Sequence, residues 1–199
     1  MNLREYDQAE ALAGQALELA EKHQFPLLAA MSRCALGKVQ APLGHATVGV
    51  ELLRQGITSL FQIGARLNGF NNKLWLALSQ EAAGTTVEAM ETIHQVLQEI
   101  PKEYLLVPIM LTVRGGLKVK QGHSESAEAD FREALRLSRS MGAKMFELDA
   151  IKELARLLAS RGRRAEAQAM LAEIHNWFTE GFDTADLKEA KALLDALAR

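Results

Sequence analysis

Four glycines, Gly44, Gly84, Gly122 and Gly162, divide this 199-residue chain at separations of 40, 38 and 40 residues. Their surroundings repeat by type. Seven residues before each stands a small residue (Gly37, Ala77, Gly115, Ala155), and five after each stands another (Gly49, Ala89, Ala127, Ala167). Nine after comes a large apolar residue: Leu53, Ile93, Phe131 or Leu171. A steady period near 40 residues marks an array of equivalent supersecondary units, each too small to bury its apolar face alone.

The units are helical. In the last one, Met145, Leu148, Ile151, Leu154, Ala155 and Leu158 lie at three- and four-residue spacing along 144–160, which gives one apolar helix face. Arg161-Gly162-Arg163 interrupts the pattern, and glycine there is free to take a left-handed C-terminal conformation. Ala167, Met170, Leu171 and Ile174 then resume it along 164–178. Ser124 is placed to cap the equivalent second helix of the third unit. A turn this short joins antiparallel neighbours, so each unit reads as a helix hairpin. The paired small residues read as crossing points where two helices approach closely. Gly115-Gly116 also offers a place for a helix to bend.

The small residue before the turn, the leucine ahead of it (Leu36, Leu76, Leu154) and the small–large pair after it together resemble the tetratricopeptide repeat. Arg114 breaks the leucine pattern in the third unit, and the period exceeds that family's usual 34 residues. The extra residues are expected in longer second helices and longer connections at His23–Pro26, Ile63–Phe70, Ile100–Tyr104 and Met141–Phe146. The resemblance implies an all-α, right-handed superhelical array of antiparallel helix hairpins. Its parts are a partial hairpin helix at about 3–23, hairpins at about 26–63, 70–100, 104–141 and 144–178, and a capping helix at about 184–198. The whole of 1–199 then forms a single repeat domain.

Trp177 to Leu187 followed by KEAKALLDAL, together with RGRRAEAQAML and LLRQGI, is similar to the C-terminal repeat region of bacterial class III adenylate/guanylate cyclase or AAA-ATPase-type transcriptional regulators. That resemblance implies a role in signal transduction or transcription, as the C-terminal part of such a protein or as its companion. It carries over no catalytic residue.

At the other end, Ala9, Ala13 and Ala16 match Gly49, Leu53 and Gly56, so the first helical pattern reads as a second helix lacking its partner. A piece of a larger protein, or a homodimer through this open N-terminal end, is expected.

Composition narrows the chemistry. The net charge is −2, with 23 basic and 25 acidic residues interspersed, which gives no basic stripe for nucleic acid. Cys34 is the sole cysteine, and a reducing cytoplasm is the expected compartment. No apolar stretch has the length of a membrane span. The five histidines lack metal-ligand spacing, and Gly115-Gly116-Leu117-Lys118 lies inside a helix rather than in a phosphate loop. No enzymatic activity, cofactor or metal is expected. Arg156, Arg161, Arg163 and Arg164 read as a solvated helix end.

In such arrays the first helices line a concave face. Positions 13, 10 and 6 before each glycine then give candidates for binding a protein or peptide. These are Met31, Cys34 and Lys38; Asn71, Leu74 and Leu78, with Trp75 beside them; Ile109, Thr112 and Gly116; and Asp149, Lys152 and Arg156. Alternatives are a small-molecule effector held in the groove, or homodimerisation.

Overall fold

A glycine at positive φ lets a helix end in one residue, and this chain uses that device at both ends of its hairpins. The computed structural model describes residues 3–102 and 104–198, with the side chains of Leu3 and Arg4 left aside. Among them are ten helices: α1 (Leu3–Lys22), α2 (Pro26–Gln40), α3 (Ala46–Gln62), α4 (Arg66–Ala82), α5 (Thr86–Glu99), α6 (Val107–Lys120), α7 (Ser124–Ser140), α8 (Lys144–Ser160), α9 (Arg164–Trp177) and α10 (Ala185–Leu197). None is long and apolar enough to cross a membrane. The chain forms two compact units, Met1–Glu99 and Ile100–Arg199. In the first, α1 packs on α2, and α2–α3 and α4–α5 are hairpins. In the second, α6–α7 and α8–α9 are hairpins, and α10 lies on α9 and α8.

The ladder glycines have φ of 86°, 82°, 81° and 79° in chain order. After each, the next amide donates to the carbonyl five residues back: His45 to Gln40 (2.8 Å), Thr85 to Gln80 (2.9 Å), His123 to Lys118 (2.9 Å) and Arg163 to Leu158 (2.9 Å). This is the Schellman closure of a helix C-terminus. It consumes only two or three residues before the next helix starts. His123 therefore takes the N-cap position expected for Ser124, which is instead the first residue of α7. The turn-equivalent His45 caps α3 in the same way.

The same closure recurs between hairpins, which corrects the expected loops. Gly64 (φ 78°) and Gly142 (φ 66°) end α3 and α7, with Ala65 donating to Leu60 and Ala143 to Ser138. Gln24 does so for α1 at φ 56°. The connections at Ile63–Phe70 and Met141–Phe146 are consequently short, and the added length lies in helices such as α3, α4, α7 and α8, each of 17 residues. Only the connection from Glu99 to Val107 is extended.

Inside each hairpin the small residues meet. A Cβ on Gly49 would stand 2.7 Å from the Gly37 carbonyl oxygen, and one on Gly37 would stand 2.8 Å from Leu53 Cγ. One on Gly115 would collide with the Phe131 ring, whereas one on Gly116 would meet nothing within 4 Å. The large residues nine after each turn glycine, Leu53, Ile93, Phe131 and Leu171, are fully buried at these crossings. Arg114, which replaces the usual leucine, makes a paired contact with buried Asp130 across the third hairpin (2.8 and 2.6 Å), and Lys118 adds a third bond at 2.7 Å. A buried carboxylate held by two cations is satisfied there.

The two adjacent glycines make an internal control. Gly115→Ala should destabilise the chain by about 1–3 kcal/mol through overpacking. Gly116→Ala should stabilise it by about 0.5–1 kcal/mol through helix propensity alone. Urea unfolding of both variants measures the contrast.

Candidate functional site

The position ten before each turn glycine lies one helical turn from the crossing residue, so it shares the packed face. Cys34, Leu74, Thr112 and Lys152 are accordingly all buried. Sequence reasoning sets them on an open groove, whereas helix periodicity turns them into the hairpins. Cys34 packs against Gly56, where a Cβ would collide with its sulfur. Burial pushes its thiol up to about 11, with Lys38 and Arg33 pulling weakly the other way. The Thr112 hydroxyl donates to the Pro108 carbonyl (3.0 Å).

Positions 13 and 6 before the glycine are more open. Met31 is exposed, and Lys38, Asn71, Leu78, Ile109, Gly116, Asp149 and Arg156 are half-buried. In the first unit, three of the candidates converge. Lys38 Nζ stands 5.5 Å from the centroid of the Trp75 ring, a cation–π contact between α2 and α4. Trp75 is 43% exposed. The two residues line a hollow of about 290 Å³ together with Ala41, Pro42, Leu78 and Ala82. Burial lowers the Lys38 pKa, and the Cys34 thiol opposes that shift. The hollow therefore offers a broad indole face, an aliphatic wall and a partly desolvated ammonium. Such a surface takes an apolar side chain together with an acceptor or a carboxylate.

In the second unit the corresponding cations are already engaged. Lys152 Nζ reaches Asp149 (3.0 Å), Asp186 (3.5 Å) and Glu189 (2.9 Å). Arg156 pairs with Glu153 and with Glu189. Helix α10 thus lies against α8 as α4 lies against α2, carrying carboxylates where α4 carries Trp75. The separation of 37 residues is the same for Lys38–Trp75 and Lys152–Glu189. That shared spacing could have revealed Glu189 in the sequence. The Lys152 hydrogen bond holds the Glu189 carboxyl below its usual value of 4.5. Burial raises that of Asp149 despite Lys152.

Two other features are less suited to a ligand. A hollow of about 600 Å³ beside the Gly122 turn is lined by His123, Ser124, Glu125, Ser126 and Arg161. Its Arg161 is neutralised by Glu128 (2.7 Å), which Arg163 (3.0 Å) and Arg132 (2.7 Å) also hold. Arg164 donates to the Ala196 carbonyl (2.6 Å). The arginine run is therefore a network of internal pairs.

Removing Lys152 tests the second-unit cluster. A folded carboxyl held below 4.5, as Glu189 is, adds stability that is complete above 4.5 and lost as pH falls through the folded value. Lys152→Met leaves three carboxylates facing one another and should cost about 2 kcal/mol at neutral pH, since two of them are half-exposed. The cost should shrink near pH ~3.5, where protonation removes the repulsion. Urea titrations of both chains at the two pH values measure this.

No protein-family model matches the chain, and no curated protein sequence matches it. Solved structures do. TTC0263, described as a thermophilic TPR protein in Thermus thermophilus, is 22% identical with a TM-score of 0.68 and covers 99% of this chain and 93% of its own. BtubC (BKLC) from P. vanneervenii is 17% identical with a TM-score of 0.75 over 98% of this chain and 90% of its own. The apo quorum sensor NprR from B. thuringiensis is 15% identical with a TM-score of 0.77 over 98% of this chain and 53% of its own. At these identities the likeness is one of fold, and the fold is a TPR-like array of helix hairpins.

Proposed function

We propose that this chain is a non-enzymatic repeat module, spanning 1–199 as one domain, that makes protein or peptide contacts through the inner sides of its first helices. The half-exposed Trp75, with Lys38 over its ring and Leu78 beside it, carries this reading. Met31, Asn71, Ile109, Asp149 and Arg156 extend the surface on their own units. Tryptophan in a hollow with a cation at its edge is the composition of a binding anchor. The hollow is open and, at about 290 Å³, falls below the usual size of small-molecule pockets, which favours a peptide side chain over an enclosed effector.

The role of C-terminal part or companion of a bacterial cyclase- or ATPase-type regulator rests on the resemblance of the 177–187 segment and its following helix. The likeness in fold to a quorum sensor is compatible with that role. A cytoplasmic location follows from it.

A second reading, homodimerisation through α1, is favoured by the exposure of Leu12 (66%) and Leu19 (57%) on that helix.

Selection from a displayed library of random 12-residue peptides tests the main reading. Peptides that bind with micromolar Kd, and that lose at least about tenfold on Trp75→Ala, support it. Selected peptides indifferent to Trp75→Ala, or no selected peptides, contradict it.

A further inference from the structure

The two terminal helices differ in what they present outward. Helix α10 turns Lys188, Lys191 and Asp195 to solvent, with Leu187, Ala190 and Leu197 buried beneath. Helix α1 does the reverse. Its α2 side holds Ala20, which is 4% exposed, and Glu10, which accepts a bond from Gln40 (2.8 Å). Its other side carries Glu5, Ala9, Leu12, Ala16, Leu19 and His23, of which only Ala9 is half-buried.

These six residues advance by four, three, four, three and four, a heptad seam along one helix face. The His23 amide still donates to the Leu19 carbonyl (3.0 Å), so the seam runs past Lys22 in helical register. The seam is self-complementary when reversed. An antiparallel second copy centred opposite position 14 sets Leu12 against Ala16, Leu19 against Ala9, and the Glu5 carboxylate against the His23 ring, large against small and acceptor against donor. On the flank, Gln15 meets Gln15 and Gln8 meets Lys22. The remaining acidic residues of α1, namely Asp7, Glu10, Glu18 and Glu21, fall on the other half of the helix. Parallel pairing would instead stack leucine on leucine and Glu5 on Glu5.

We propose that α1 is an isologous interface on which a second copy of this chain docks its own α1 antiparallel, in the register that pairs residue 12 with residue 16 and residue 5 with residue 23. This rests on the homodimer reading and specifies its geometry. One helix face buries less than the roughly 800 Å² per partner of a stable complex, so the dimer is weak, half-formed at about 10–100 µM.

Sedimentation equilibrium of the 199-residue chain from about 1 to about 200 µM, beside Leu12→Asp/Leu19→Asp, tests the surface. Both leucines are exposed, so the variant should keep its helical melting curve while dimerising at least about tenfold more weakly. Disulfide trapping tests the register. A chain with Ala9→Cys mixed with a chain with Leu19→Cys should cross-link under mild oxidation, while Ala9→Cys alone should not. In this register, two copies of residue 9 lie about 15 Å apart, beyond disulfide reach. Cys34 is buried, with its thiol pushed up to about 11, and does not interfere. A monomer at every concentration overturns self-pairing and leaves the face to another occupant. A dimer indifferent to the two aspartates overturns the surface. Cross-linking of Ala9→Cys with itself overturns the register while leaving the homodimer reading in place.

Discussion

Each hairpin closes because a residue without bulk on one helix lets the other approach, and a large side chain one turn further along fills the space. At Gly37–Gly49 the approach is backbone to backbone, with no room for a single carbon. At Gly115 the space is taken by the Phe131 ring. Burying Leu53, Ile93, Phe131 and Leu171 completely depends on that proximity. So does the position of everything else on the first helices: a hairpin held apart by one methyl group would turn Trp75 or Lys152 against different neighbours. The turn glycines set where a helix stops, but the crossings set how it packs.

How much of this is legible in the chain follows from which physics leaves a mark in residue type. Left-handed turns select glycine, so Gly44, Gly84, Gly122 and Gly162 announce the hairpin tips. The turns between hairpins are harder to read because they lie at unequal half-periods and one of them is made by Gln24, which carries no such signal. Long loops are the natural expectation in that gap, and short Schellman closures fill it instead. Ser124 has the chemistry of a cap, yet the closure five residues back hands that position to His123.

The candidate surface is half legible. Offsets from the glycine select Lys38 and Leu78, and Trp75 beside them, which do meet across a hollow. The same rule selects Cys34, Leu74, Thr112 and Lys152, whose spacing of three from the crossing residue commits them to the packed face. Lys152 is informative for that reason: a buried ammonium stays charged only because Asp149, Asp186 and Glu189 surround it. The array thus ends in α10 with carboxylates toward α8 and lysines toward water. Helix α1 has no such polar cover, and its alternation of leucine and alanine is orderly enough to specify a partner.

The central claim is that size complementarity at the crossings holds the hairpins, and a double-mutant cycle at Gly115 and Phe131 tests it directly. Phe131→Leu shortens the side chain that Gly115→Ala strikes. The account predicts that the two substitutions together cost less than their sum by about 1 kcal/mol or more in urea unfolding. Costs that add to within about 0.5 kcal/mol would contradict it, since the glycine would then be serving some purpose other than admitting the ring.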